Sequence, residues 1–230
     1  MNSAFWARRT HKWIAWAIGV QALLWMASGL YMTAISIDII HGDHLVKVDA
    51  GPLSPAGVLM TSDQLIAQHP GLHTFRLKRF MGREVYEVHD RRGINLIDAL
   101  SGARLSPLEK DVARQLAISF YSGNAPVHAV EWLDKSPQEV STRPAPLWKV
   151  SFADQNETTL YLSPHTGELL AKRHDLWRWF DFLWMLHIMD YDTRDDVNNR
   201  LLQIASWVGV AFSLSGVWLL FYSFRRRTRA

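Results

Sequence analysis

Trp13–Ile37 reads WIAWAIGVQALLWMASGLYMTAISI, a run of 25 residues without a charged side chain, set between Lys12 and Asp38. The hydrocarbon core of a bilayer takes roughly 20 apolar residues at about 1.5 Å of rise each. The run clears that length with one awkward residue, Gln21. A second charge-free run, LLQIASWVGVAFSLSGVWLLFYSF, occupies Leu201–Phe224 between Arg200 and Arg225. Trp13, Trp16, Tyr31, Trp218 and Tyr222 lie toward the ends of the runs, where amphipathic rings favour the headgroup region. Buried helices of a soluble core rarely stay uncharged this long. The first run also exceeds the apolar region of a cleaved signal peptide and no small-x-small cleavage site follows it. The runs are read as transmembrane helices over 13–37, an uncleaved signal anchor, and over 201–224.

Charge orients them. The 1–12 tail carries Arg8, Arg9 and Lys12, and the 225–230 tail carries Arg225, Arg226, Arg227 and Arg229. These tails hold seven of the 25 basic residues and no acid, while the segment between the spans holds 18 basic residues and all 22 acids. The positive-inside rule then places both termini in the cytoplasm and translocates residues 38–200. In a bacterium this means a two-pass inner-membrane protein with a periplasmic domain, in contact with the lipid bilayer.

Composition removes whole classes of chemistry. The chain has no cysteine, so disulfides, thiolate metal sites, iron–sulfur clusters, cysteine nucleophiles and covalently attached haem are excluded. A net charge of +3 in 230 residues gives no indication of a nucleic-acid partner. There is no P-loop, dinucleotide glycine fingerprint, H-E-x-x-H or nucleophile elbow. Small residues recur in the spans, Ala205, Gly209, Ser213 and Gly216 in the second and Ala15, Gly19 and Ala22 in the first. Such faces let helices approach closely, so the spans are expected to pack on each other or in a homodimer.

The translocated segment repeats itself. Over 57–106, TSDQLIAQHP leads into FRLKRFMGREVYEVHDRRGINLIDALSGARLS; over 107–174, LEKDVARQLAISFYSG leads into VHAVEWLDKS, a Pro-containing loop and LWKVSFADQNETTLYLSPHTGELLAKR. Each half reads as a helix followed by three strand-like runs of period two, such as Val85-Tyr86-Glu87-Val88 and Leu147-Trp148-Lys149-Val150. Both halves close on a turn whose last residue, Gly102 or Gly167, suits positive φ. Ser62-Asp63 and Pro107-Leu108-Glu109 read as helix starts, and a longer hairpin loop is expected at 153–157. The fold class is therefore α+β, two helix-on-antiparallel-sheet units between two transmembrane helices. Units this small should pack against each other to bury enough core.

Duplicated helix-plus-sheet units ending on such a turn, tethered between membrane helices, resemble the PepSY family. His11-Lys-Trp-Ile-Ala-Trp16, running into QALLWMASGLY, looks like the opening span of PepSY-associated membrane proteins. DLWRWFDFLWMLHIMDY, over Asp175–Tyr191, looks like their motif ahead of a later span. The resemblance covers nearly the whole chain. It implies tandem PepSY-like units and an iron-related inner-membrane setting, in which larger members with about four spans include ferric–siderophore reductases carrying b-type haem. This chain has two clear spans.

The 175–191 segment is aromatic and apolar, but only about 14 residues of it are continuous, too few to span. Trp177, Phe180, Trp184, His187 or Ile188, and Tyr191 recur at helical spacing. They are read as an amphipathic helix at the outer membrane surface with its aromatic face down; packing on the periplasmic domain is the alternative. The acidic connector 192–200 does not have EF-hand spacing and is read as a solvated link capping the second span.

Histidine is the only candidate chemistry, since a neutral ring nitrogen ligates haem iron and transition metals. His11 borders the first span, and His174 and His187 flank the aromatic helix; these three are the candidate haem b ligands. His187 carries the family motif, with Asp190 as the expected partner of its ring. His41 and His44, in the 38–56 connector, are the candidate metal pair if the helix continues past the membrane. His11 and His187 are expected at opposite faces, too far apart for one iron. The resulting expectation is a non-enzymatic membrane protein presenting a periplasmic domain to a membrane or periplasmic protein partner. The alternative is a b-haem component of iron reduction.

Overall fold

The computed structural model describes residues 3–47, 51–53 and 57–223. The basic tail 225–230 lies outside the described residues, as do 48–50 and 54–56 of the first connector. The chain divides into two compact units, one of residues 1–37 and 179–230 and one of residues 38–178.

In the first unit, α1 (Ser3–Ala34) and α6 (Arg200–Ser223) pack on each other, and both are long and apolar enough to cross a membrane. Their outward faces carry large apolar side chains in the open, with Trp16 80%, Trp207 75% and Phe221 74% exposed. The contact face of α6 includes Ala205, Gly209 and Ser215. Gly209 matters because a side chain there would press on the Trp25 ring at 3.3 Å. Ser213, which shares the small-residue spacing, points outward and is replaced on this face by Ser215. α5 (Asp175–Ile188) ends in the same unit, and Asn199 caps α6 by accepting from Leu202 N at 2.8 Å.

The second unit opens with a single turn, α2 (Ile37–Ile40), and a short 3-10 turn at Asp43–Leu45. α3 (Ser62–Gln68) follows. Its cap is Thr61, one residue ahead of the expected start, in a reciprocal box with Gln64. β1 (Leu72–Phe80), β2 (Arg83–Asp90) and β3 (Gly93–Asp98) form an antiparallel sheet in that order. α4 (Lys110–Phe120) precedes β4 (Val127–Leu133), β5 (Leu147–Phe152), β6 (Thr159–Leu162) and β7 (Leu169–Arg173), a second antiparallel sheet in sequence order.

The repeat is therefore present as helix plus antiparallel sheet, with one more strand in the second half than the sequence pattern suggested. β7 follows the Gly167 turn. The equivalent chain after Gly102 forms only an isolated bridge, Ile97 to Arg104. Pro107 then follows and has no N–H to extend a ladder.

Packing explains why two small units coexist. Phe80, Val85 and Leu96 of the first sheet join Leu116 and Ala117 of α4 and Trp148, Val150 and Leu160 of the second sheet in one buried cluster. A separate cluster under α3 holds Leu65, Tyr86, Val88 and Ile97. A third, on the other face of the second sheet, holds Val140, Leu147, Tyr161 and Ala171. The halves thus share their largest core. Gly167 lies at this junction with φ +67°, and an added Cβ would strike the Phe80 ring and sit 3.3 Å from Leu116.

Gly167→Ala is therefore expected to combine backbone strain with a clash at the shared core and to cost about 1–3 kcal/mol. Thermal unfolding of the detergent-purified protein, followed by tryptophan fluorescence, should show a lowered midpoint. An unchanged midpoint would mean that the turn is not held against Phe80.

Candidate functional site

The histidines separate into two neighbourhoods. In the helical unit, His187 on the last turn of α5 meets α1. Its Nδ1 lies 2.7 Å from Ser28 Oγ, and Ser28 is fully buried. The Ser28 hydroxyl also lies 2.7 Å from the Leu24 carbonyl. A hydroxyl has one proton and a carbonyl can only accept, so that proton goes to Leu24 and His187 Nδ1 must donate to Ser28. In the neutral ring this leaves the Nε2 lone pair free.

His11 repeats the arrangement against α6. Its Nδ1 is 2.8 Å from Ser215 Oγ, which donates to the Phe212 carbonyl at 2.7 Å, and its ring stacks on Phe212 at 4.8 Å between centroids. By the same bookkeeping Nδ1 donates to Ser215, which in the neutral ring leaves the Nε2 lone pair free. The two histidines are not brought together. Ser28, the partner of His187, is 17 residues beyond His11 on α1, about 25 Å of helix.

The end of α5 is fastened by its own backbone. The last carbonyls of a helix have no partner within it. Here Gln21 Nε2 donates to Leu186 O at 2.9 Å, Trp25 Nε1 to His187 O at 2.7 Å, and Asn199 Nδ2 to Ile188 O at 2.9 Å. These contacts set the last turn of α5 beside residues 21–28, inside the charge-free run of α1. The terminal carbonyls need donors, and α1 supplies two of them from its middle. Gln21, the awkward residue of the span, is one of those donors. Farther back, Asp181 pairs with Arg194, and Trp184 Nε1 donates to Arg194 O at 3.0 Å.

Asp190 does not hold the His187 ring. Its carboxylate instead accepts from the backbone N–H groups of Asp192, Thr193, Asp195 and Asp196 and from the Thr193 hydroxyl. The connector folds around this carboxylate, and the Thr193 hydroxyl foremost, with the backbone donors, holds its pKa far below the usual range.

His41, His44 and His174 belong to the domain unit. His41 and His44 do not share a helical face. α1 stops at Ala34, and Gly42, at φ +68°, breaks the chain between them. Both side chains are exposed. His174 is 2% exposed, donates from Nε2 to the Ile40 carbonyl at 3.0 Å, and meets His44 edge-on at 6.2 Å. A side chain at Gly42 would come within 3.1 Å of the His174 ring, so the left-handed glycine and the histidine are fitted to each other. His174 thus ties the chain leaving α1 to the end of β7. Among the described residues, no group of three or more His, Asp or Glu side chains is placed to hold a metal ion.

Other titratable groups of the domain are bound into its frame. Burial alone would raise Glu87, but hydrogen bonds from Arg76, Lys78 and His89 outweigh it and hold the carboxyl at about 2. Glu139 accepts from the buried Tyr161 hydroxyl and from Arg178 Nε. Asp154 organises the β5–β6 hairpin through Thr158 and receives the Tyr121 hydroxyl at 2.9 Å, and burial followed by that carboxylate raises Tyr121 to about 12.

Sequence reading singled out His11 and His187 but not Ser28 and Ser215. Both serines stand in small-residue stretches, ASG and SLSG, that read only as helix-packing faces. No family model, curated protein or solved structure matches this chain.

Burial pushes His174 below the ordinary histidine range, against the hydrogen bond to Ile40, with the His44 and Arg178 charges lowering it further. A lowered histidine stabilises the fold above its unfolded pKa of about 6.5, and that contribution is lost as pH falls toward the folded value. The unfolding midpoint should therefore drop between about pH 7 and pH 5. His174→Gln, which keeps a donor for Ile40 and removes the titration, should bring the midpoints at the two pH values together. A wild-type midpoint flat across this window would contradict the assignment.

Proposed function

We propose that this is a two-pass bacterial inner-membrane protein with both termini in the cytoplasm. Its duplicated PepSY-like domain would face the periplasm, where it binds or regulates a protein partner without catalysing a reaction. The observation that carries the membrane part is the inversion between the two units. The domain buries its own apolar side chains, whereas α1 and α6 leave Trp16, Trp207, Phe221 and many others in the open. Such faces are satisfied by lipid. The partner-binding part is supported by the domain's makeup. Glu87, Glu139 and Asp154 are consumed in structural networks, while β1 and β4 pair on one side only and leave strand edges of the kind that accept other chains.

The cysteine-free sequence makes the topology directly testable. A membrane-impermeant maleimide should label Lys135→Cys in cells whose outer membrane alone has been opened. It should label Thr228→Cys only after the inner membrane is breached. The opposite pattern would sink the proposal. Photocrosslinking from the domain in native membranes should recover one specific protein, and a failure to recover any from several exposed positions would remove the partner-binding reading.

A second reading, a b-haem component of iron reduction, is favoured by one observation. Ser28 and Ser215 accept from Nδ1 of His187 and His11, and in the neutral ring this leaves Nε2 free to ligate iron. His187 would supply one ligand, with Ser28 fixing its ring, and haem would supply one-electron transfer. Because His11 lies about 25 Å away along α1, the two histidines do not serve one iron within a chain. On this reading, protein purified after expression with added haem shows a Soret band that His187→Ala abolishes and Ser28→Ala shifts. Absence of the band eliminates it.

A further inference from the structure

The domain carries a groove of about 1020 Å³ whose walls are not sheet faces. One wall is formed by every residue from Arg76 to Gly82, and the opposite wall by every residue from Thr166 to Leu170. A sheet face contributes alternate residues, because successive side chains point to opposite sides. A run of consecutive strand residues, such as Arg76–Phe80, is a strand seen along its edge. β1 is the outer strand of the first sheet, pairing only with β2, and β7 is the outer strand of the second, pairing only with β6. The groove therefore lies between the free edge of β1, Arg76–Phe80 with the Met81-Gly82 turn beyond it, and the Thr166–Glu168 turn that leads into Leu169-Leu170 of β7, with α4 contributing to its lining.

The lining has a definite chemistry. Phe80, Leu116, Phe120 and Leu169 supply apolar surface. Arg76, Lys78, Arg79 and Arg143 supply four positive charges against one carboxylate in the lining, Glu168. Glu87 anchors Arg76 and Lys78 from the neighbouring strand and Glu168 pairs with Arg76, so the charge that faces an incoming ligand is carried by Arg143. Arg143 is exposed, and among the described residues its guanidinium makes no hydrogen bond or ion pair.

We propose that this groove binds an extended, acidic segment of a partner protein, added as a strand along the free edge of β1, with alternate apolar side chains against Phe80 and Leu169 and acidic ones toward Arg143. An edge demands extended backbone, because only that conformation matches its hydrogen-bond spacing. The apolar floor demands a hydrophobic residue at every second position, and the rim demands negative charge at the others. The five β1 residues from Arg76 to Phe80 give an edge of about 17 Å, enough to pair a strand of about five residues. The proposal rests on the reading of the domain as a partner-binding module and names the partner's chemistry.

The test uses the full chain in phosphatidylglycerol–phosphatidylethanolamine nanodiscs and fluorescein-labelled peptides followed by anisotropy. The probe is an eight-residue peptide alternating Glu or Asp with Val or Leu. The controls are its charge-reversed counterpart, with Lys and Arg, and the acidic peptide N-methylated at alternate backbone nitrogens. The acidic peptide should bind saturably with a Kd of order 10–100 μM, and both controls roughly tenfold or more weakly. Arg143→Glu, an exposed substitution that leaves the shared core intact, should weaken the acidic peptide about tenfold, and Arg143→Lys should largely preserve binding.

No saturable binding up to about 1 mM, or equal binding of the three peptides, would overturn the proposal. So would an Arg143→Glu protein that binds as the wild type does. A photocrosslinker at Met81 that captures a second copy of this chain would replace the proposed occupant and likewise overturn it. Crosslinks from another face to a specific partner, with no peptide binding here, would remove the groove while leaving the partner-binding function standing. Loss of both would remove the function as well.

Discussion

Three carbonyl oxygens at the end of α5 set the terms for the helical unit. A helix end among apolar neighbours cannot leave its final carbonyls to water, and each unmet group costs several kcal/mol in a hydrocarbon setting. Gln21, Trp25 and Asn199 meet the three in turn. From this follow the depth at which α5 ends along α1, the position of His187 against Ser28, and the direction from which the connector enters α6. Asn199 serves twice, donating to Ile188 at one helix end and capping Leu202 at the beginning of the next. The polar residues in these apolar runs are thus the joints of the unit.

The domain obeys a different constraint. Each half keeps only a small buried cluster of its own. The largest cluster accordingly draws Phe80, Val85 and Leu96 from one half and α4 with the second sheet from the other. The glycine turn that closes the second half fits against Phe80 at the end of β1. Where the halves diverge from this contact they leave the edges of β1 and β7 open, so the feature that stabilises the repeat also creates its groove.

Much of this was legible in the sequence, and the reasons differ by element. The two charge-free runs announced α1 and α6 because hydropathy is additive along a chain and needs no knowledge of partners. Period-two alternation around Val85–Val88 and Leu147–Val150 announced strands for the same reason. β7 is not legible because Leu169–Arg173, LLAKR, has no period-two alternation and follows directly on the Gly167 turn. The proposed sharing of a helical face by His41 and His44 failed at Gly42, whose left-handed backbone ends any helix there. Asp190, three residues beyond His187, was a reasonable partner by spacing, yet its own connector offered four backbone N–H groups close by. Ser28 and Ser215 lie 159 and 204 residues from the histidines they hold, and no local pattern encodes a pairing across such distances.

The separation between Gln21 and Leu186 has a bearing on how the molecule is made. A ribosome adding about 5–20 residues per second produces α1 roughly ten to thirty seconds before it produces the carbonyl that Gln21 will satisfy. Throughout that interval the indole of Trp25 and the amide of Gln21 have no native acceptor, while the whole domain of residues 38–178 is being made and folded. Closure of α5 on α1 is consequently a late event in biogenesis. It waits for the final quarter of the chain, and the nascent first helix must be sheltered or temporarily partnered until then.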